Sequence, residues 1–414
     1  MVGFLAHEWV IGGHMRGLGF ALAGALALFV AGCGEAGEPL QGFEYPGQEW
    51  TVSTPEAEGL NPEPIERFVG EIKAGEFGNI DQLVLIRNGR LVTDEIFERD
   101  YQALREALKP EDLLSPNAPY DQYDYDNPDY HPFYKGTGLH TMQSVTKSVT
   151  SAALGVAVDE GLIESVSVPT MPYFEAYSHD QSDPRKSQMM LEDLLTMRSG
   201  IAWKTEGGYA EGHSTVTMED SNAWIQFILD QEMDQEPGTT YEYNDGASVL
   251  IGKILREATG RRADEWAREK LFTPIGIDEF HWKITPDGET DTEGGLYLTA
   301  HDLARIGYLF LREGEWGGTR VLSKEWVARS VTPIVTETWE GGPGYGYQWW
   351  VPEHEDGRAM VYSGNGYGGQ YLLVFPDHDL VAVVTGWSPR GDYRSAQGEL
   401  ITKVIPAALK LDAE

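Results

Sequence analysis

The chain of 414 residues holds one cysteine, Cys33, and so has no pair from which to build a disulfide. The fold has to rest on a buried core rather than on covalent staples. Positive charge is scarce too. Against 66 Asp and Glu stand 31 Lys and Arg, a net charge of −35. Such a surface repels phosphates, which argues against nucleic acid as a partner. Two hydrolase signatures are missing. None of the 10 His sits in a His-Glu-x-x-His spacing, which disfavours a zinc hydrolase. There is no Gly-x-Ser-x-Gly elbow, which disfavours a Ser-His-Asp enzyme of the usual strand-turn-helix kind. There is no internal repeat, and nothing in the pattern calls for a cofactor. What the chain does have is core material: 41% hydrophobic residues and 12 Trp, ample for a globular domain.

The N-terminus reads as a targeting segment. Arg16 precedes an apolar run, Leu18 to Val30, that is short for a membrane span and suits a signal peptide. Val30-Ala31-Gly32-Cys33 resembles the lipobox of bacterial lipoproteins. That resemblance implies a lipid on Cys33, a membrane anchor, and a periplasmic place in the bacterial cell envelope. An ordinary secretory signal is the other reading. Residues 1–33 are then the signal, and 34–48, rich in Gly, Glu and Pro, a tether. The folded domain spans 49–414.

Within that domain, Asp81 to Phe97 predicts a β-hairpin, turned at Asn88-Gly89. Residues 102–140 read as irregular, with a Tyr- and Asp-rich stretch at 121–130 that is either a surface loop or the wall of a site. Helical spacing runs from Lys147 to Asp159, and shorter helices are predicted at Leu191 to Met197 and Ser221 to Leu229. Ala247 to Thr259, Arg262 to Leu271 and Ala300 to Arg312 follow as helices. Met360 to Tyr362, Gln370 to Phe375 and Leu380 to Thr385 read as strands. A last helix covers Arg394 to Leu409, with Pro406 set to interrupt it. Strands at both ends with helices between predict a discontinuous α/β domain with a mostly helical insertion at about 160–245.

Chemistry concentrates in three places. In Ser144-Val145-Thr146-Lys147 a hydroxyl and an amine share one face at a helix start. A serine becomes a nucleophile only when a neighbouring base takes its proton, and a buried lysine can be that base. Backbone N–H groups at the same helix start point at a developing oxyanion. Tyr243, in Tyr243-Asn244-Asp245, lies on a loop just ahead of a helix, where a phenol near a lysine can shuttle protons. Ser363-Gly364-Asn365-Gly366-Tyr367-Gly368-Gly369 leads into a strand, and its glycines allow close approach of a substrate and expose backbone N–H groups.

Ser-x-x-Lys, a tyrosine motif farther on and a glycine-rich strand near the end together resemble the serine β-lactamase and penicillin-binding-protein family. The chain is most similar to the class C β-lactamase-related hydrolases of that family. Met142 to Ser148, Leu194 to Gly200, Gly294-Gly295-Leu296 and Gly344 to Trp350 agree with their pattern. The resemblance implies an α/β fold with an antiparallel sheet flanked by helices. It implies Ser144 as acylated nucleophile, Lys147 as its base partner and Tyr243 as proton shuttle. It also implies backbone N–H groups of Ser144 and Tyr367 in an oxyanion hole, with Asp245, Gly366, Trp349 and Trp350 toward the substrate. Asp245 stands where the family often has Asn. Gly364-Asn365-Gly366 stands where β-lactamases have Lys-Thr-Gly, and the missing lysine removes a cation that would hold a carboxylate. The expected partner is a small ester or amide rather than a β-lactam. The rival is a lipid-anchored penicillin-recognising sensor with little turnover.

Overall fold

The computed structural model describes residues 43–107, 138–178, 182–205, 212–352, 361–388 and 393–410. Cys33, the signal segment, the first part of the tether and the Tyr-rich stretch at 121–130 lie outside the described residues.

Seven antiparallel strands form the main sheet. Their spatial order is Arg90–Ile96, Ile80–Arg87, Leu380–Gly386, Gln370–Phe375, Tyr362–Gly366, Trp350–Val351, Gly344–Tyr345. Strands from both ends of the chain thus meet at the centre. The first hairpin turns at Asn88 and Gly89, with φ of 52° and 77°. Two positive φ values in succession make the tight turn that matches strand twist.

The sheet is apolar on both faces. Val84, Ile86, Leu372, Val374, Val381 and Val383 point to one core, while Leu83, Leu85, Leu373, Phe375, Ala382 and Val384 point to the other. This is the period-two alternation of a strand, with each face covered by helices. Helix Ala300–Leu311 covers the first face at close range. A Cβ on Gly307 would lie 2.7 Å from Leu372 Cδ1, so glycine lets the helix sit down on the sheet. Pro62–Lys73 and the C-terminal helical stretch cover the second face. That stretch is not one regular helix. A π-helical turn, Leu400–Val404, precedes Ile405–Ala408, and the Ile405 N–H bonds to the Leu400 carbonyl. The irregularity sits just ahead of Pro406, which has no N–H to give.

Helix Val145–Asp159 lies against the Tyr362–Gly366 strand on one side and helix Asp245–Thr259 on another. All residues from Val145 to Ala157 are buried. Between Asp159 and Asp245 the chain forms short helices, Leu191–Leu195, Ser214–Glu219 and Trp224–Asp230. The first ends earlier than its apolar spacing predicts, because Met197 turns to a φ of 56°. Residues 43–48 differ from the expected free tether. Arg305 Nη2 donates to the carbonyls of Gly47 and Gln48 at 2.8 and 2.6 Å, and Tyr308 Oη donates to that of Glu44 at 2.6 Å.

Candidate active site

Ser144 immediately precedes the buried helix. The preceding Gln143 takes a φ of 48°, in the left-handed region that non-glycine residues seldom adopt. The approach is anchored by pairing of His140–Thr141 with Leu296–Leu298 and by the Met142 N–H, 2.8 Å from the Leu296 carbonyl. Ser144 is half-buried, while its neighbours on both sides are buried.

Lys147 Nζ donates to Ser144 Oγ at 3.1 Å, as one turn of helix allows. The amine is 1% exposed at its side chain. It also lies 2.7 Å from Asp245 Oδ1, 2.7 Å from the Glu293 carbonyl oxygen and 3.3 Å from Glu293 Oε2. An ammonium has three hydrogens, and here four oxygens surround it.

Tyr243 lies beside the same pair, with Ser144 and Lys147 both among the groups that act on its phenol. Its ring centroid lies 5.3 Å from Lys147 Nζ. Burial raises the phenol's pKa above its ordinary value, against the pull of the Lys147 charge and the bond to Ser144. The residue is held from behind, since Asn244 Oδ1 caps the next helix by accepting from the Ala247 N–H at 3.1 Å. Trp350 stacks on Tyr243 with centroids 6.0 Å apart and planes at 15°. Tyr345 meets Trp350 edge-on at 5.0 Å, and Trp339, which is exposed, lies 5.9 Å from it.

Asp245 opens its helix and is buried there. Burial pushes its carboxyl up, but the Lys147 charge, the bonds from Lys147 and Thr215, and His213 together hold it below the ordinary carboxylate value. Glu293 behaves in the opposite way. Burial pushes it up to about 8, opposed by Lys147 and reinforced by the charges of Asp245 and Asp291. Asp291 builds the turn that carries Glu293, since its Oδ1 accepts from the N–H groups of Glu293 and Gly294 at 3.3 and 3.1 Å. Gly295 is needed in that turn, because a Cβ there would lie 2.6 Å from Asp291 Cβ.

The glycine motif proves to be part of a strand rather than only a turn into one. Gly364 and Gly366 face the start of the buried helix, where a Cβ on Gly364 would lie 3.0 Å from Val145 Cγ1. Asn365 points the other way, its Oδ1 accepting from Gln397 Nε2 at 2.9 Å. Gly364, expected where β-lactamases have a lysine, thus packs against Val145. Tyr367 follows directly at the strand's end, its ring edge-on to Trp387 at 6.3 Å. Trp349 is not in the group around Tyr243. It is fully buried and packs on Phe310 and Tyr362, which corrects its expected place on a substrate wall.

The sequence reading missed Glu293 and Thr215. Glu293 precedes the quoted Gly294-Gly295-Leu296, yet one acid among 66 carries no signal by itself. Among the described residues, no cluster of His, Cys, Asp and Glu is arranged to hold a metal ion.

The family model named Beta-lactamase matches residues 131–401. A 6-aminohexanoate-dimer hydrolase of Paenarthrobacter ureafaciens is 28% identical over 299 residues, which is 66% of this chain and 72% of that protein. Among solved structures, a family VIII carboxylesterase superposes with a TM-score of 0.60 at 15% identity, covering 87% of this chain and 99% of the other. A penicillin-binding protein from Bacillus halodurans gives a TM-score of 0.57 at 16% identity, covering 83% and 99%. The matched model spans well over half of the sequence, and the chain therefore belongs to the Beta-lactamase family of serine hydrolases.

Proposed function

We propose that the protein cleaves an ester or amide bond through a covalent acyl-serine. One observation carries this reading: Lys147 Nζ stands 3.1 Å from Ser144 Oγ, with the Tyr243 ring 5.3 Å from the same amine. Ser144 attacks the carbonyl carbon while Lys147 takes its proton, and Tyr243 passes a proton to the leaving group. Backbone N–H groups of Ser144 and of Tyr367 receive the oxyanion. Gly366 gives the substrate room beside the strand, Asp245 steadies Lys147, and Trp350 with Trp339 supplies an apolar wall. Water then releases the acid.

The substrate is an ester or a linear amide in this proposal. Similarity to proteins named as a 6-aminohexanoate-dimer hydrolase and a family VIII carboxylesterase supports this choice, and glycine at position 364 speaks against a carboxylate-bearing β-lactam. The lipobox-like Val30 to Cys33 supports attachment to a membrane of the cell envelope by lipid. The test is hydrolysis of p-nitrophenyl esters, D-amino-acid amides, linear amide oligomers and nitrocefin beside Ser144→Ala. Loss of turnover and of fluorophosphonate labelling in the variant is expected; a variant as active as wild type sinks the proposal.

One observation favours a second reading, a sensor that acylates and barely turns over. Asp245 and Glu293 both lie within ion-pair distance of Lys147, and two carboxylates oppose its release of a proton. A burst of product without steady-state hydrolysis would favour that reading.

A further inference from the structure

An ammonium cannot take a proton from serine. Lys147 is enclosed by Asp245, by the Glu293 carbonyl and by the Glu293 carboxylate, and all three favour its charged form. Before Lys147 can act on Ser144 its own proton needs somewhere to go. Glu293 Oε2, 3.3 Å from Nζ, is within reach. Asp245 is the weaker candidate, because its carboxylate already accepts from Thr215 Oγ1 and sits at a helix N-terminus, where negative charge is favoured. The two carboxylates beside one lysine are therefore not equivalent.

We propose that Glu293 is a positioning residue that stores the proton Lys147 gives up to become a base. The proposal rests on the acyl-serine reading above. In the resting pair, the Lys147 Nζ–H bond breaks and a Glu293 Oε2–H bond forms, so an ion pair becomes a neutral pair with no change in net charge. Ser144 then loses its proton to the neutral amine as its Oγ bonds to the carbonyl carbon, and the carbonyl π electrons move to oxygen. Lys147 passes that proton through the Tyr243 phenol to the leaving group. In the second half of the cycle it takes one from water and returns it to Ser144. Glu293 keeps its proton throughout. A low-dielectric surrounding makes the neutral pair accessible, since it removes two buried charges.

The groups around Glu293 define its titration. Lys147 faces it from the Val145–Asp159 helix, Asp245 from the Asp245–Thr259 helix, Glu219 from the Ser214–Glu219 helix, and Asp291 from its own turn. Tyr243 is near, and Lys283 lies beside Asp291 and Glu219. Of the three charges that act most on Glu293, two, Asp245 and Asp291, are acidic, and they delay its ionisation, in agreement with its rise to about 8. When both Lys147 and Glu293 carry protons no acceptor remains. Activity therefore rises as Glu293 ionises.

The experiment is the pH profile of kcat/KM for wild type and Glu293→Gln, with an activated ester, between pH 5 and pH 10. The wild-type acid limb is expected in the neutral to mildly alkaline range. In Glu293→Gln the limb moves at least about one unit to the alkaline side, because Lys147 must lose its proton to solvent, and kcat/KM at pH 7 falls roughly 100-fold. Unchanged kcat/KM, or a fall with an unmoved limb, overturns the proposal. Should the variant fail to fold, the wild-type profile decides: no ionisation between pH 6 and pH 9 overturns it. Inactivity of Ser144→Ala alongside an unmoved Glu293→Gln limb sinks this inference alone, whereas an active Ser144→Ala sinks the reading beneath it.

Discussion

Gly366 passes the carbonyl of Met142 so closely that a Cβ placed on it would lie 2.4 Å from that oxygen. Met142 is two residues before Ser144, so the glycine strand and the nucleophile's turn are registered by backbone contact. Gly366→Ala is expected to push the strand off this turn. A displacement of the order of 1 Å costs up to about 100-fold in rate. Measured kcat should fall by at least tenfold, with a smaller proportional change in stability. Near-normal kcat in a well-folded variant would show that the strand's approach does not matter.

The two neighbouring tryptophans separate stability from activity. Trp349 fills the core against Phe310 and Tyr362, so Trp349→Ala should cost about 3–5 kcal/mol of folding free energy. Trp350→Ala removes the ring stacked on Tyr243 and should lower kcat by roughly tenfold through a looser phenol. Urea unfolding and steady-state kinetics on both variants distinguish these outcomes.

Asp245→Asn keeps the shape of the helix start and removes a charge. Asp245 is one of the charges that hold Glu293 up, so its loss lets Glu293 ionise at lower pH. The acid limb of kcat/KM should move to the acidic side, opposite in sign to the shift expected for Glu293→Gln. A limb that moves to the alkaline side would contradict the charge arrangement.

Stability should carry the mark of the same carboxyl. Glu293 is raised in the folded state to about 8 from an ordinary 4.5. Its contribution is therefore fully present below the ordinary value and is lost as pH rises through about 8, at up to about 1.4 kcal/mol per unit of difference. Asp291, also raised by burial, acts in the same direction. Asp245 is lowered, and its contribution is lost only as pH falls below the ordinary carboxylate range. The Tm of wild type should thus decline from pH 5 to pH 8, and that of Glu293→Gln should decline less. Equal slopes would refute the assignment.

Local signals made much of the fold legible. Asn88-Gly89 marks the hairpin, Gly260 with a φ of 71° closes helix Asp245–Thr259, and apolar runs joined by the turn Pro376 to Asp379 mark the last two strands. Ser144, Lys147 and Tyr243 were legible because one helical turn and one capped loop bring them together. What was hidden depends on distant packing. Gly364 and Gly366 look like a turn by propensity and lie in a strand because only glycine fits against Val145 and Met142. Residues 43–48 look like a tether and are held by Arg305 and Tyr308, more than 250 residues away. Trp349 and Trp350 look like one wall in the sequence, yet consecutive residues of an extended segment point to opposite sides.

Helix Val145–Asp159 is buried on every side as far as Ala157. An ordinary surface helix has a solvent face on which substitutions drift at little cost, and this one has none. Substitutions that retune what the protein acts upon therefore cost least elsewhere, at exposed side chains such as Trp339, while changes in the element beneath the serine disturb its packing. Diversification at the rim over a buried floor is the evolutionary freedom that this packing leaves.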